Sequence, residues 1–164
     1  VKFLHSYCIK NNLDFCVLGK YLDDKKNMEY DYYNKLINKE NWSFIENNDS
    51  RNAYEIIDQS KMVTGTVSTL MLESLARYNK TIFFGIRPNV HPINTEFFGN
   101  LSNKPEVGPF WVNKVDLKIF QKTMDNVKNM EKEEWIKTLN FYKDELTTYD
   151  YGNKILKDKL LSYL

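Results

Sequence analysis

MVTGTVSTLMLESLARYNKTIFFG, residues Met62 to Gly85, sets a glycine and three hydroxyl side chains between two apolar runs. Lys61–Thr64 predicts a strand, Ser68–Asn79 a helix, and Thr81–Ile86 (TIFFGI) a strand that is apolar on both faces. A strand without polar alternation suits a parallel sheet covered by helices on both sides. The same unit repeats outward from this stretch. Upstream, Asp14–Gly19 (DFCVLG) and Trp42–Glu46 (WSFIE) predict strands. Phe3, Leu4, Tyr7 and Cys8 fall at helical spacing, and Asn11-Asn12 close that helix. Asp24–Ile37 predicts a helix with a stripe of Met28, Tyr32, Tyr33, Leu36 and Ile37 facing the sheet. Asp49-Ser50 cap a further helix with Ala53, Ile56 and Ile57 on one side.

Downstream, Arg87 to Gly108 dissolves into Pro, Asn and Gly, a long loop, before a last strand at Phe110–Asn113 (FWVN). Helices follow over Asp116–Val127, Glu131–Leu146 and Tyr149–Leu164. Strand–helix alternation with right-handed crossovers leaves few topologies. The expectation is an α/β chain: one Rossmann-like, three-layer α/β/α domain over residues 1–164, its mostly parallel sheet having about five to six strands, with helices at the C-terminus.

With 164 residues the chain can bury a core of its own. Apolar residues at 42% and charged residues at 27% place it among ordinary globular proteins rather than disordered or membrane-spanning ones. Lys plus Arg number 23 against 22 Asp plus Glu, so the net charge of +1 gives no footprint for nucleic acid. Cys8 and Cys16 form no disulfide framework or metal cluster and suit small buried hydrophobes. His5 suits a partly exposed helix position, and His91, flanked by prolines in the long loop, a surface residue. Neither has partners at metal-ligand spacing, so no metal is expected. No apolar run approaches the roughly 20 residues of a membrane span, and no signal peptide is visible, so the expectation is cytoplasmic.

The hydroxyls at Gly65-Thr66-Val67-Ser68-Thr69 sit where open α/β sheets bind ligands, at the carboxyl end of a strand and the start of a helix. The first helical turn leaves four backbone N–H groups without intrahelical partners, at the positive end of the macrodipole. A capping box requires Ser or Thr three residues before Glu73, and Leu70 stands there. No carboxylate lies in Leu70, Met71 or Leu72. An external anion can therefore take those donors, assisted by Thr66, Ser68 and Thr69. Thr69, Glu73 and Arg77 are four apart and share a stripe, so Glu73 is placed to accept from a ribose diol one turn beyond a diphosphate. The plainer account stands beside this one. Ser68 or Thr69 is then an N-cap contributing about 1 kcal/mol. Glu73 and Arg77 are a solvated pair contributing roughly 0.3–0.5 kcal/mol. Neither GxGxxG nor GxxxxGK[ST] occurs in the chain.

Residues 53–88, AYEIIDQSKMVTGTVSTLMLESLARYNKTIFFGIRP, resemble the nucleotide-sugar-binding half of GT-B glycosyltransferases. More narrowly they resemble a bacterial family of surface-carbohydrate (capsule or lipopolysaccharide) biosynthesis. Its members have a similar valine-rich strand, Ser-Thr-Leu turn, Glu-Ser/Ala-Leu-Ala-Arg helix and Lys-x-x-Phe-Phe strand. VLGK (17–20) and TYDYGNKIL (148–156) are also similar to it. One departure is Val67, where relatives often carry an acidic residue.

The resemblance implies a two-domain protein with its active site between the halves, the C-terminal half holding a nucleotide-sugar donor. Chain start at Val1, in a helix rather than a strand, then fits a missing N-terminal half that binds the glycan or glycolipid acceptor and supplies the catalytic base. Gly65, Thr66, Ser68, Thr69 and Arg87 would hold the donor phosphates and Glu73 the ribose, with Gly19 and Lys20 as weaker candidates. No cofactor or metal is implied, because the helix dipole and cations stabilise the leaving group. The last helix would pack at the domain boundary or cross to the missing half. The chain alone is expected to be inactive, and the full protein could associate peripherally with the inner face of the plasma membrane. Two other functions fit: a nucleotide-sugar epimerase of GT-B type, or a non-catalytic nucleotide- or sugar-binding module. Tyr30, Tyr32 and Tyr33 beside Asp31 suit either stacking on a base or sugar, or simple packing on the sheet.

Overall fold

A computed structural model describes residues 1–21, 25–37, 40–47, 50–66, 68–86, 104–147 and 150–163. Its elements run α1 (Lys2–Lys10), β1 (Cys16–Leu18), α2 (Lys25–Ile37), β2 (Ser43–Ile45), α3 (Ser50–Gln59), β3 (Val63–Gly65), α4 (Thr69–Ala76) and β4 (Thr81–Phe84). After these come β5 (Trp111–Val112), α5 (Leu117–Asn129), α6 (Lys132–Leu146), a 3-10 turn (Tyr151–Asn153) and α7 (Lys154–Leu161). The chain is α/β with parallel strands, as the alternation predicted. The five strands described form a two-stranded sheet, β1-β2, and a three-stranded sheet in the order β3-β4-β5. Glycine ends or follows three of them, at Gly19, Gly65 and Gly85. Two compact units result, Val1–Gln59 and Ser60–Leu164.

In the first unit, β1 and β2 pair in parallel with Val17 opposite Phe44 and Leu18 opposite Ile45. The Gly19 N–H extends the ladder to the Ile45 carbonyl at 2.8 Å. Helix α1 packs against α2. His5 is buried, not partly exposed as its helix position suggested. Its Nε2 lies 3.0 Å from the Glu40 carbonyl oxygen, which only accepts, so Nε2 carries the proton. Its ring meets Phe15 edge-on. Cys16 is exposed and Cys8 half-buried, so neither is the small core residue expected. The stripe on α2 is also rotated from the expected one. Met28 and Tyr32 are exposed, whereas Lys26, Glu29, Tyr33, Leu36 and Ile37 turn inward. Ring contacts of Tyr30 and Tyr33 with Phe44 of β2 fix that rotation, and Met28 lies on the other side.

The second unit is organised by β4, whose four residues are all buried. Strand side chains alternate between faces, so both faces of the sheet must be covered. On one face, Ser74 of α4 and Thr81 share a hydroxyl–hydroxyl hydrogen bond of 2.9 Å, and Thr81 Oγ1 also donates to the Asn79 carbonyl. On the other, Phe84 lies against Phe120 of α5 with ring centroids 4.2 Å apart. The sheet of this unit is thus a middle layer between α4 and α5. Leu72, Leu75 and Ala76 of α4, an apolar stripe at helical spacing, are buried on the sheet, and Met71 is buried with them. Helix α4 ends at Ala76, earlier than predicted, because Tyr78 turns into the left-handed region at φ 66°. The Trp135 indole N–H donates to the Tyr78 carbonyl at 2.8 Å, tying α6 to that turn. Lys80 Nζ donates to the Lys128 and Met130 carbonyls where α5 ends, a cation set against the negative end of a helix. Burial there pulls its pKa below the ordinary lysine value.

Helix α5 is capped by Asp116, whose carboxylate accepts from the Lys118 and Ile119 N–H groups at 3.0 and 3.1 Å. The last helix starts at Lys154 instead of Tyr149. Asp150 resets it, accepting from the Ile155 and Leu156 N–H groups at 2.9 and 3.0 Å. Tyr149, with Thr148, lies outside the described residues.

Truncating Leu75, which is fully buried between α4 and the sheet, should cost about 2–5 kcal/mol, read as a lower urea midpoint for Leu75→Ala. Asp150 gives a pH test. The Ile155 N–H, then the Leu156 N–H, hold its carboxyl below the usual range. A folded pKa below the unfolded one means that the cap is at full strength above the unfolded value and fades as pH falls through the folded one. Amide protection at Ile155 and Leu156 should therefore drop in acid, and Asp150→Asn should remove that pH dependence.

Candidate functional site

Because β3, β4 and β5 run parallel, their carboxyl ends form one edge of the three-stranded sheet. Gly65 ends β3 at that edge and α4 begins four residues later. Ser68 is the N-cap with extended backbone (φ −161°, ψ 142°), yet its side chain makes no capping hydrogen bond. Its carbonyl accepts from the Met71 N–H at 3.1 Å, so the first turn is tight. No acidic side chain lies in that turn. Thr66, Ser68 and Thr69 are all exposed, and so is Glu73 one turn along the helix. The tip therefore presents hydroxyls, open N–H groups and a positive dipole end, with a carboxylate further up the same side.

Gly65 has a packing reason of its own. In register it sits opposite Phe83, on the face covered by α4. A Cβ at Gly65 would lie 2.6 Å from the Met71 sulfur, so the missing side chain makes room for a buried methionine. Thr64 faces the other way, sharing the side of Ile82. Its Oγ1 is buried without a hydrogen-bond partner among the described residues.

The first unit has a carboxyl edge of its own, at the ends of β1 and β2, and Gly19 and Lys20 lie there. A Cβ on Gly19 would come 2.8 Å from Phe44, whose ring covers the glycine. The loop after Gly19 is held by Glu29 of α2, whose Oε2 accepts from the Lys20 N–H at 2.8 Å, while Asn47 donates to the Lys20 carbonyl. The Lys20 ammonium lies 5.5 Å from the centre of the Tyr21 ring. Beside this loop is a cleft of about 410 Å³ lined by Lys26, Asn27, Tyr30, Trp42, Phe44 and Glu46. Phe44 of β2 and the flanking Trp42 and Glu46 are two residues apart and line the same cleft, while Lys26 and Tyr30 are one helical turn apart on α2.

Gly65, Thr66, Ser68, Thr69 and Glu73 are thus gathered on the single β3–α4 segment of the second unit, and Gly19 and Lys20 belong to the first. Arg87, His91 and Val67 lie outside the described residues. The sequence reading passed over Lys26, Trp42 and Glu46, although period 2 in WSFIE and the four-residue step from Lys26 to Tyr30 carried the signal. Among the described residues no three His, Cys, Asp or Glu side chains come together as a metal site. No helix among them is long and apolar enough to cross a membrane.

A family model described as "putative O-antigen biosynthesis protein" matches residues 1–164, the whole of the given chain. No curated protein and no solved structure matches it.

Proposed function

The chain belongs to this O-antigen biosynthesis family, a family of surface-polysaccharide biosynthesis, and on that premise we propose that it is the nucleotide-sugar-binding part of a glycosyltransferase. The observation that carries the reading is the tip of α4: exposed, without a capping bond from the Ser68 side chain, free of acid in its first turn, and set at the carboxyl edge of a parallel sheet. A diphosphate there accepts from the backbone N–H groups after Ser68 and from the hydroxyls of Thr66, Ser68 and Thr69. The ribose diol donates to Glu73, and Gly65 lets the chain turn close to the ligand. Arg87, which follows β4 in the sequence, is the cation this reading assigns to the developing charge of the leaving group. The helix dipole and such cations stabilise that charge in the transition state more than in the bound donor, which is what accelerates the transfer. The acceptor, a glycan or glycolipid, and the base that deprotonates it come from another domain, and α7 packs towards that domain.

Calorimetric titration of the chain with nucleoside diphosphates and with inorganic pyrophosphate tests this. One nucleoside diphosphate should bind selectively. Glu73→Gln should weaken it about tenfold and leave pyrophosphate unaffected, since only the ribose contact is lost. Indifference of the folded chain to every nucleoside diphosphate would overturn the reading.

A further inference from the structure

The cleft of the first unit has the chemistry of a saccharide subsite. Its wall is aromatic: Tyr30 and Trp42 are stacked, with ring centroids 5.8 Å apart and planes 18° from parallel, and Phe44 meets Tyr30 edge-on at 5.7 Å. Tyr30 is 44% exposed, an unusual state for a ring with two aromatic neighbours, so this wall still offers apolar surface to a ligand. Its rim is polar. Lys26 Nζ and Glu46 Oε2 are 3.0 Å apart and both half-exposed, and Asn27 adds an amide beside them. Its volume of about 410 Å³ falls in the usual range for small-molecule sites of about 300–1,000 Å³. Its lining runs the length of β2, from Trp42 just before the strand to Glu46 just after it.

We infer that this cleft binds the ring of a neutral sugar, one apolar face lying on Tyr30 and Trp42 and a vicinal diol bridging Lys26 and Glu46. A neighbouring ammonium and carboxylate match two adjacent hydroxyls, one accepting from the lysine and the other donating to the glutamate. The same pairing disfavours a phosphate, because Glu46 repels it and already neutralises Lys26. An uncharged polyhydroxylated ring with an apolar face fits both halves of the cleft. The site lies wholly within the first unit, so it does not depend on the β3–α4 reading. In a polysaccharide-building protein it holds a neutral sugar unit rather than the nucleotide of the donor.

Tryptophan emission tests this directly. Of the three tryptophans, Trp111 and Trp135 are each 2% exposed, leaving Trp42 as the reporter. The chain is titrated with methyl glycosides of glucose, galactose, mannose, rhamnose and N-acetylglucosamine, and separately with nucleoside diphosphates. At least one glycoside should shift the emission, and Trp42→Phe should abolish the shift. Tyr30→Ala should weaken binding about tenfold and Glu46→Gln several-fold, with far-UV circular dichroism unchanged. Asn27→Ala, at an exposed position, serves if Tyr30→Ala fails to fold. Glu73→Gln should leave glycoside binding as it was, so the two sites fail or stand separately. No shift with any glycoside, a shift with nucleoside diphosphates alone, or a shift untouched by these cleft variants overturns the inference.

Discussion

Burial of β4 on both faces is the constraint on which the second unit depends. Thr81 and Phe83 face α4, and Ile82 and Phe84 face α5, so neither helix can be withdrawn without exposing a strand that has no polar side to show. The hydroxyl of Thr81 is accommodated only because Ser74 and the Asn79 carbonyl meet it; alone, a buried hydroxyl is costly. That bond fixes how α4 lies on the sheet. The position of α4 in turn sets its tip at the carboxyl edge, so the candidate donor site follows from the packing of a hydrophobic strand.

Much of this was legible in the sequence. TIFFGI has no polar alternation, and a strand of that kind has to be sandwiched. The apolar stripe of Leu72, Leu75 and Ala76 on α4 follows from spacing alone. What could not be read locally was set by neighbours distant in sequence. The rotation of α2 comes from Phe44 on another element, the burial of His5 from a carbonyl 35 residues away, and the early end of α4 from the turn that meets Trp135. The start of α7 was missed for a subtler reason, because Asp150 caps from a residue that is outside the helix and before a 3-10 turn.

The two candidate sites differ in how visible they were. Hydroxyls before an apolar helix announce themselves in a linear reading, so the β3–α4 tip was found at once. The aromatic cleft needs one face of β2 and one face of α2 brought together, so Tyr30 could be singled out in the tyrosine cluster of α2 but not its partners Lys26, Trp42 and Glu46. Gly65 has a packing role that the sequence did not reveal. A glycine in such a turn suggests room for a ligand, yet Met71 fills the space that it leaves on the sheet side. A glycine can serve both, since packing uses one side of the backbone and a ligand the other.

Helix α7 contributes no residue to either core: Ile155, Leu156, Leu160 and Leu161 are each more than half exposed. Order in this stretch comes from its own backbone and one carboxylate, so it is energetically separable from the layers before it. Removing the chain beyond Asp150 would therefore leave the buried residues in place. Whatever those four aliphatic side chains are retained for, it is a duty discharged outside the architecture of this chain's own interior.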